Sequence, residues 1–267
     1  MASERALITG CSTGIGRAAA IELTARGYEV IATARRPESL TDLKVAHTLA
    51  LDVDSDESVA AALTAAGPVD VLVNNAGFGV EGAVETVPLT EVRAMFETNF
   101  LGAARMIQAF VPGMRERGHG SVVNVTSTAG IVAPPLGGYY AASKFALEGL
   151  SEALHLEVGH FGVRVVIIEP GAIDTQFSSN VSDHRHEPGP YQQLGQLWQE
   201  AQGKLSGGQP APGPELVASV IADALESDRA QLRWPVGGDA ELVAAARQGT
   251  SYDEFEASMR QVLQLDW

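Results

Sequence analysis

The chain has 267 residues, of which 45% are hydrophobic, and it carries a formal net charge of −15. This length fits one domain with a substantial core, and the acidic charge argues against non-specific nucleic-acid binding, which needs a basic surface. The longest apolar runs, such as VRVVII at 163–168, are far shorter than a membrane span.

Short β-branched runs alternate with amphipathic stretches along the chain, a pattern typical of a parallel sheet covered by helices. The predicted strands are 5–9, 29–33, 47–51, 70–74, 121–126, 163–168 and 231–236. The predicted helices are 15–26, 55–66, 89–117, 138–160 and 214–227. We therefore expect an α/β fold: one doubly wound domain over 1–267, with a parallel seven-stranded sheet and helices on both faces.

The segment 176–213 is irregular and rich in Gly, Pro, Gln and His, with room for a helix at 190–203. A connection of this length inside a compact domain is usually a functional lid or a mobile segment. We expect a substrate-binding lid here. Its aromatic residues Phe177, Tyr191 and Trp198 either line a hydrophobic pocket or only pack the lid down.

The sequence TGCSTGIG (9–16) joins the first predicted strand to the first helix. Gly10, Gly14 and Gly16 permit a tight turn and close backbone approach, and the helix N-terminus offers unpaired N–H groups to a pyrophosphate. The spacing is G-x-x-x-G-x-G. Three glycines in such a turn also fit a purely structural role, so the turn by itself leaves both interpretations open.

The second predicted strand runs into ATARR (32–36), where a dinucleotide fold places the adenosine ribose. A carboxylate at this point selects a free 2′-hydroxyl, whereas an arginine pairs with a 2′-phosphate. Ala34 stands where the carboxylate would be, and Arg35 and Arg36 follow it. The pattern favours the phosphorylated cofactor, and the alternative is a pair of solvated arginines.

Two tyrosines precede a lysine in GGYYAASKFALEGL (137–150). Residues four apart share a helix face and residues five apart do not, so Tyr140 and not Tyr139 is the neighbour of Lys144. A free phenol has a pKa of about 10. A nearby ammonium favours the phenolate, so we expect Lys144 to move the pKa of Tyr140 toward the working range.

Three further polar or glycine-containing segments follow predicted strands: NNAG (74–77), NVTSTAG (124–130) and EPGAIDT (169–175). Open α/β sheets bind their ligands at the carboxyl ends of the strands. We therefore expect these segments to meet the glycine turn at one edge of the sheet.

This motif set, in this order over residues 5 to about 175, resembles the short-chain dehydrogenase/reductase family. The resemblance implies a Rossmann fold, a nicotinamide cofactor and a catalytic tetrad of Asn99, Ser127, Tyr140 and Lys144. Ser127 lies thirteen residues before Tyr140, as in the family. In that family pattern Ser127 binds the substrate oxygen, Lys144 binds the nicotinamide ribose, and Asn99 holds a water linked to Lys144.

The cofactor contacts that the resemblance and the turn together imply include Tyr140 and Lys144 themselves. The others are Gly10, Ser12, Thr13, Gly14, Ile15, Gly16, Arg35, Arg36, Asp52, Val53, Asn75, Ala76, Gly77, Pro170, Gly171, Ile173 and Thr175. Members that prefer NADP often carry a basic residue at the position of Thr13. The 2′-phosphate is therefore expected on Arg35, with Ser12 or Arg17 in support.

We expect an NADP(H)-dependent oxidoreductase that interconverts a carbonyl and a secondary alcohol. The long 176–213 segment and the tail after 240 resemble the hydroxysteroid and retinol-type branch, which suggests a hydrophobic substrate. The rival hypothesis is a cofactor-binding redox sensor without turnover. We also expect a homodimer or homotetramer.

Cys11, His184 and His186 are not expected to carry chemistry. As the single cysteine, Cys11 forms no internal disulfide, and no secretory signal precedes the first strand, so we expect a cytoplasmic protein. Cys11 is predicted to pack in the core. His184 and His186 have no third ligand at a familiar spacing, so no metal is expected.

Overall fold

The computed structural model describes residues 3–177, 181–185, 188–205 and 210–264. A sheet of seven parallel strands, in the order β3-β2-β1-β4-β6-β7-β9, forms its centre. These strands are β1 (Arg5–Ile8), β2 (Glu29–Ala34), β3 (His47–Ala50), β4 (Val71–Asn74), β6 (Gly120–Val125), β7 (Val163–Pro170) and β9 (Arg233–Val236). The chain builds outward from β1 in both directions, so the order reverses between β1 and β4. This Rossmann fold is the predicted one.

Helices cover both faces of the sheet because successive strand residues point to opposite sides. Ala6 and Ile8 lie in the core shared with α1 and α7, whereas Leu7 lies in the core shared with α2, α4 and α5. These five helices are α1 (Gly14–Ala25), α2 (Asp56–Ala66), α4 (Ala103–Arg117), α5 (Gly138–Val158) and α7 (Pro214–Glu226). None of the described helices is both long enough and apolar enough to cross a bilayer.

The predicted helix 89–117 is divided into three parts. Helix α3 (Leu89–Phe96) runs into a π-helical turn at Glu97–Gly102, and α4 follows. Single π-helical turns inside α-helices are found frequently at functional sites. Asn99 lies in this turn, which the apolar periodicity of the sequence did not reveal.

Four elements were not assigned from the sequence, and a fifth was predicted with shifted bounds. Strands β5 (Val80–Glu81) and β8 (Ser182–Asp183) form a small parallel sheet, and α6 (Gln192–Leu205) corresponds to the predicted 190–203 helix. The tail forms α8 (Gly238–Gly249) and α9 (Tyr252–Leu263). Ser251 and Glu254 form a capping box at the start of α9, a signal readable in the sequence.

A chain of buried hydrogen bonds joins β4, β6 and α5. Asn74 Nδ2 donates to Asn124 Oδ1 over 2.9 Å, and Asn124 Nδ2 donates to Ser151 Oγ over 2.7 Å. Ser151 in turn donates to the Leu147 carbonyl. Buried polar groups are costly to leave unpaired, so this chain fixes α5 against the two strands that lead to the candidate site.

We predict that Asn124→Ala lowers the free energy of unfolding by about 1–3 kcal/mol, because the buried Asn74 amide loses its acceptor. Urea unfolding of Asn124→Ala, Ser151→Ala and the double variant should give a coupling energy of at least about 0.5 kcal/mol. Thr64→Ala is the control. Thr64 lies on the exposed side of α2 and bonds only its own helix, so its loss should change stability by less than about 0.5 kcal/mol. Strictly additive effects of the Asn124 and Ser151 changes would show that these hydrogen bonds contribute to stability independently of one another.

Candidate active site

The glycine turn after β1 has no room for side chains at two positions. Gly10 has φ +74°, and a β-carbon there would lie 3.0 Å from Ala76 Cα. A β-carbon on Gly16 would lie 2.4 Å from the Gly10 carbonyl oxygen. Glycine is therefore required at both positions, and the turn presents bare backbone.

Polar side chains hold this turn to the loop after β4. Asn75 Nδ2 donates to the Thr9 carbonyl over 2.9 Å, while the backbone N–H groups of Asn75 and Ala76 donate to Thr9 Oγ1 over 2.9 and 3.0 Å. A β-carbon on Gly14 would lie 3.5 Å from Thr175 Cβ, so the loop after β7 also reaches the turn. The predicted approach of the segments 74–77 and 169–175 to the glycine turn is confirmed.

The first turn of α1 is open to an anion. Its N-cap residue Thr13 makes no side-chain capping bond, and the first turn contains no acidic residue. The N–H groups of a helix start have no partner inside the helix and lie at the positive end of its dipole. A pyrophosphate fits such a site. Ser12 is exposed at the turn, and Ile15 packs against the core below it.

The two arginines after β2 are exposed, and neither forms an ion pair within the described part of the chain. Arg17, by contrast, already bonds Asp42 over 2.5 Å. Arg35 and Arg36 are therefore the free cations at this strand end, and Arg17 is a weaker candidate for a phosphate than the sequence suggested.

Asp52 and Val53 follow β3 and both have structural contacts. The Asp52 N–H donates to Ser58 Oγ over 2.9 Å, and its carboxylate accepts from the Asp54 N–H over 3.2 Å. Val53 is buried against Gly102, where a β-carbon would lie 2.7 Å from Val53 Cγ2. These contacts fix the loop at the edge where the resemblance places the adenine.

Asn99 ties the loop after β4 to helix α5. Its Oδ1 accepts from the Phe78 N–H over 3.0 Å, and its Nδ2 donates to the Phe78 carbonyl and to Ser143 Oγ over 2.9 and 3.1 Å. Gly77 lies against the same side chain, since a β-carbon there would lie 3.0 Å from Asn99 Oδ1. The Asn99 amide thus bonds both polar backbone groups of Phe78 in the loop and the hydroxyl of Ser143 on α5.

Ser127, Tyr140 and Lys144 lie together beyond β6. Ser127 Oγ accepts from the Ala129 N–H over 3.1 Å, which orients the hydroxyl, and the Lys144 Nζ lies 5.8 Å from the centre of the Tyr140 ring. Lys144 Nζ donates to the Val125 carbonyl over 3.0 Å. The predicted same-face neighbours are therefore close in space.

The direction of the Tyr140 shift differs from the prediction. Burial raises the pKa of Tyr140 to about 12, the Ser127 hydroxyl opposes this rise, and the Glu81 carboxylate adds to it. Burial also lowers the pKa of Lys144 to about 8, against the influence of Glu148. The expected lowering of the Tyr140 pKa is therefore not found: removal from water raises it, and the Ser127 hydroxyl, not Lys144, is the group that opposes the rise.

Tyr139 has a separate contact. Its hydroxyl donates to the Val84 carbonyl over 3.0 Å. The Tyr140 ring instead lies 5.8 Å from that of Phe177, at the start of the predicted lid. The two adjacent tyrosines therefore have different surroundings, and only Tyr140 lies with Ser127 and Lys144.

The described part of the predicted lid is tied down at one end. Strand β8 pairs with β5, His184 Nε2 lies 3.1 Å from Glu91 Oε2, and Arg185 bonds Glu81 over 2.6 Å. Trp198 is buried and α6 packs on α9 through it, beside Met259 and Val262. Of the three lid aromatics, Phe177 is therefore the one that lies beside Tyr140.

Sequence reasoning missed Thr9 and Asp239. Thr9 receives the two N–H groups described above. Asp239, in the first turn of α8, accepts from the Ala172 N–H over 2.7 Å and packs against Gly171. It thereby holds the loop that follows Pro170, the last residue of β7, and contains Gly171 and Ile173. An acidic residue in the first turn of a helix can be recognised in the sequence, but its hydrogen-bond partner in a distant loop cannot.

Cys11 is buried and donates to the Ile8 carbonyl, and burial raises its pKa to about 12. Its predicted role in packing is confirmed. Among the described residues no group of three His, Cys, Asp or Glu side chains is arranged to hold a metal ion. His186 lies outside them.

A sequence model described as short chain dehydrogenase matches residues 4–186. Among curated relatives, the uncharacterized oxidoreductase YusZ of Bacillus subtilis is 33% identical over 97% of this chain and 98% of its own. Human 17-beta-hydroxysteroid dehydrogenase type 1 is 37% identical over 88% of this chain and 77% of its own. Human retinol dehydrogenase 8 is 41% identical over 66% of this chain and 60% of its own.

Solved structures of short-chain dehydrogenases also resemble this chain. A short-chain dehydrogenase from Streptomyces avermitilis has a TM-score of 0.82 and 36% identity over 97% of this chain and 95% of its own. One from Burkholderia cenocepacia in complex with NADP has a TM-score of 0.77 and 26% identity, covering 98% and 97%. One from Burkholderia phymatum in complex with NAD has a TM-score of 0.76 and 25% identity, covering 96% and 95%. With the glycine turn and the Ser127, Tyr140 and Lys144 group in place, this chain belongs to the short-chain dehydrogenase/reductase family of oxidoreductases.

Proposed function

We propose that this protein is an NADP(H)-dependent oxidoreductase that interconverts a carbonyl and a secondary alcohol on a hydrophobic substrate. The observation that carries the proposal is the grouping of Ser127, Tyr140 and Lys144 at the sheet edge that also holds the glycine turn. Measuring the loss of NADPH absorbance against ketones, from small keto esters to steroids, tests it directly.

The residues at this edge fit a nicotinamide dinucleotide. The bare backbone of Gly10–Gly16 and the uncapped start of α1 would hold the pyrophosphate. The exposed Arg35, with Arg36 beside it, would pair with a 2′-phosphate. Bound there, the nicotinamide would supply or accept the hydride. Lys144 would hold the ribose, and the loop containing Ile173 and Thr175 would hold the carboxamide.

Side chains of the protein would then donate the proton and bind the substrate oxygen. With a pKa of about 12, the buried Tyr140 phenol keeps its proton at neutral pH and is ready to donate it. The Ser127 hydroxyl would bond the substrate oxygen as negative charge develops on it. A protonated Lys144 stabilises the phenolate that remains, and Asn99 holds the loop beside it.

A hydrophobic substrate is supported by the surroundings of Tyr140. Tyr139 and Tyr140 pack against Val80, Val87 and Met95, with Phe177 beside Tyr140. Apolar walls with a few placed polar groups are typical of small-molecule sites. Two of the relatives above are named for hydroxysteroid and retinol oxidation, which agrees with a bulky apolar substrate.

We predict a preference for NADP(H) over NAD(H), because a charge-assisted contact from Arg35 to the 2′-phosphate contributes roughly 10- to 150-fold in affinity. The double change Ala34→Asp with Arg35→Ala should reverse the preference, measured as the ratio of kcat/KM for the two cofactors. Arg93→Ala removes another exposed arginine, on helix α3, and should leave the ratio unchanged. Equal use of both cofactors by the unaltered protein contradicts the prediction.

We predict that Tyr140→Phe lowers kcat by at least about 100-fold while NADPH binding, measured by its fluorescence, stays nearly intact. The change removes the proton donor and keeps the ring. Tyr139→Phe is the matched control, since it removes a hydroxyl bonded to Val84. It should alter mainly KM.

Two outcomes would distinguish the alternatives. One concerns which tyrosine donates the proton, and the other concerns whether the protein is an enzyme or a redox sensor. Inactivation by Tyr139→Phe alone would reverse the assignment of the two tyrosines. Absence of turnover in the unaltered protein with every carbonyl tried, together with tight NADPH binding, would favour the redox sensor.

We predict that α6 is part of a lid whose amides become protected when NADPH and substrate bind. In the free protein hydrogen exchange over Gln192–Leu205 should be faster than over β6, since α6 contacts the rest of the chain mainly through α9. Binding should slow it. Equal protection of α6 and β6 in the free protein would contradict the lid.

A further inference from the structure

One helical turn after Lys144, a second ionisable side chain is buried in α5. Lys144 is 5% exposed and Glu148 is 4% exposed. Residues four apart share a helix face, so these two buried side chains leave the same side of α5. Glu148 is the group that raises the pKa of Lys144 against the lowering effect of burial. The tetrad itself does not include it.

Arg233, from strand β9, holds the Glu148 carboxylate. Its Nη2 lies 3.1 Å from Glu148 Oε2. Burial raises the pKa of Glu148, and the Thr126 hydroxyl and the Arg233 guanidinium oppose the rise. Gly130 leaves the space for this side chain, since a β-carbon there would lie 2.9 Å from Glu148 Cγ. Arg233 thus holds Glu148 Oε2, whereas Glu148 Oε1 is buried without a hydrogen-bond partner among the described residues.

A second buried carboxyl shares the same arginine. Glu169, on β7, lies 3.2 Å from Arg233 Nε, and burial, with the Glu148 charge in second place, raises its pKa to about 7. Exposed Glu152 also bonds Arg233, over 2.5 Å. The Arg233 guanidinium therefore lies against both buried carboxyl groups, 3.1 Å from Glu148 and 3.2 Å from Glu169, and favours the charged form of each.

A cavity of about 440 Å³ opens beside this group. Glu148, Glu169 and Arg233 line it, with Phe145 on α5 and the exposed Arg247 on α8. The cavity is large enough to admit water and small ions to the neighbourhood of Glu148. It also makes the role of this carboxylate testable with a small anion.

We propose that Glu148, held by Arg233, is a positioning residue that keeps Lys144 an ammonium beside the Tyr140 phenol. The expected effect of Glu148 on turnover rests on the proposed function, whereas its effect on the pKa of Lys144 does not. Glu148 acts through Lys144 and has no contact with the reacting phenol. Because an ammonium supports proton donation by Tyr140, carbonyl reduction declines as pH rises through the pKa of Lys144, about 8. Loss of the Glu148 charge moves that decline to lower pH.

The direct test is a titration of Lys144 by NMR. The chain has three lysines, Lys44, Lys144 and Lys204, so protein labelled at lysine Cε gives three signals that single variants assign. In Glu148→Gln the Lys144 midpoint should fall by about one pH unit, a roughly tenfold change in the equilibrium. The alkaline limb of kcat for carbonyl reduction should fall with it. Glu152→Gln, which neutralises the exposed neighbour, should change neither.

A second variant covers the case in which Glu148→Gln folds poorly. Glu148→Ala extends the cavity to the face of Arg233, so formate should enter, pair with the guanidinium and return the Lys144 midpoint toward the unaltered value. Chloride at the same ionic strength should not. A Lys144 midpoint that is the same in the folded Glu148 variants and the unaltered protein overturns the inference. Absence of turnover with every carbonyl overturns the proposed function and leaves the titration as an independent measure.

Discussion

All seven strands of the central sheet run in the same direction, and the arrangement of the functional groups follows from this constraint. Parallel strands end at one edge, so segments far apart in the sequence are brought to one place. The glycine turn follows β1, the free arginines follow β2, and Ser127 follows β6. The order reverses between β1 and β4, which opens the crevice there. No single segment contains the site.

Polar contacts then fix the positions of these loops relative to one another. Thr9 accepts from two N–H groups of the loop after β4, and Asp239 accepts from the loop after β7. Asn99, placed by a π-helical turn, uses its amide on both polar groups of Phe78. Loops at a sheet edge carry backbone groups that the strands no longer pair, and these side chains satisfy them.

Removal from water acts on the two central ionisable groups in opposite directions. It raises the pKa of Tyr140 and lowers that of Lys144, because burial disfavours the charged form of each. At neutral pH the phenol therefore keeps its proton. Whether Lys144 carries a positive charge depends on the charged groups near its ammonium. This is the reason that Glu148, a buried carboxylate outside the tetrad, gains importance, together with Arg233 on β9, which holds it.

The sequence alone was sufficient for the seven-stranded sheet and for placing Tyr140, rather than Tyr139, on the same helix face as Lys144, because strand and helix periodicities are local and four residues make about one helical turn. It was also sufficient for the glycine turn and for the free arginines after β2. The contacts of Asn99, the β5–β8 pair and the contacts of Thr9 and Asp239 were decided by the tertiary structure, since each joins residues distant in the chain. The pKa of Tyr140 belongs to this second group: spacing predicts the neighbour Lys144, but burial depends on how the whole chain packs around the phenol.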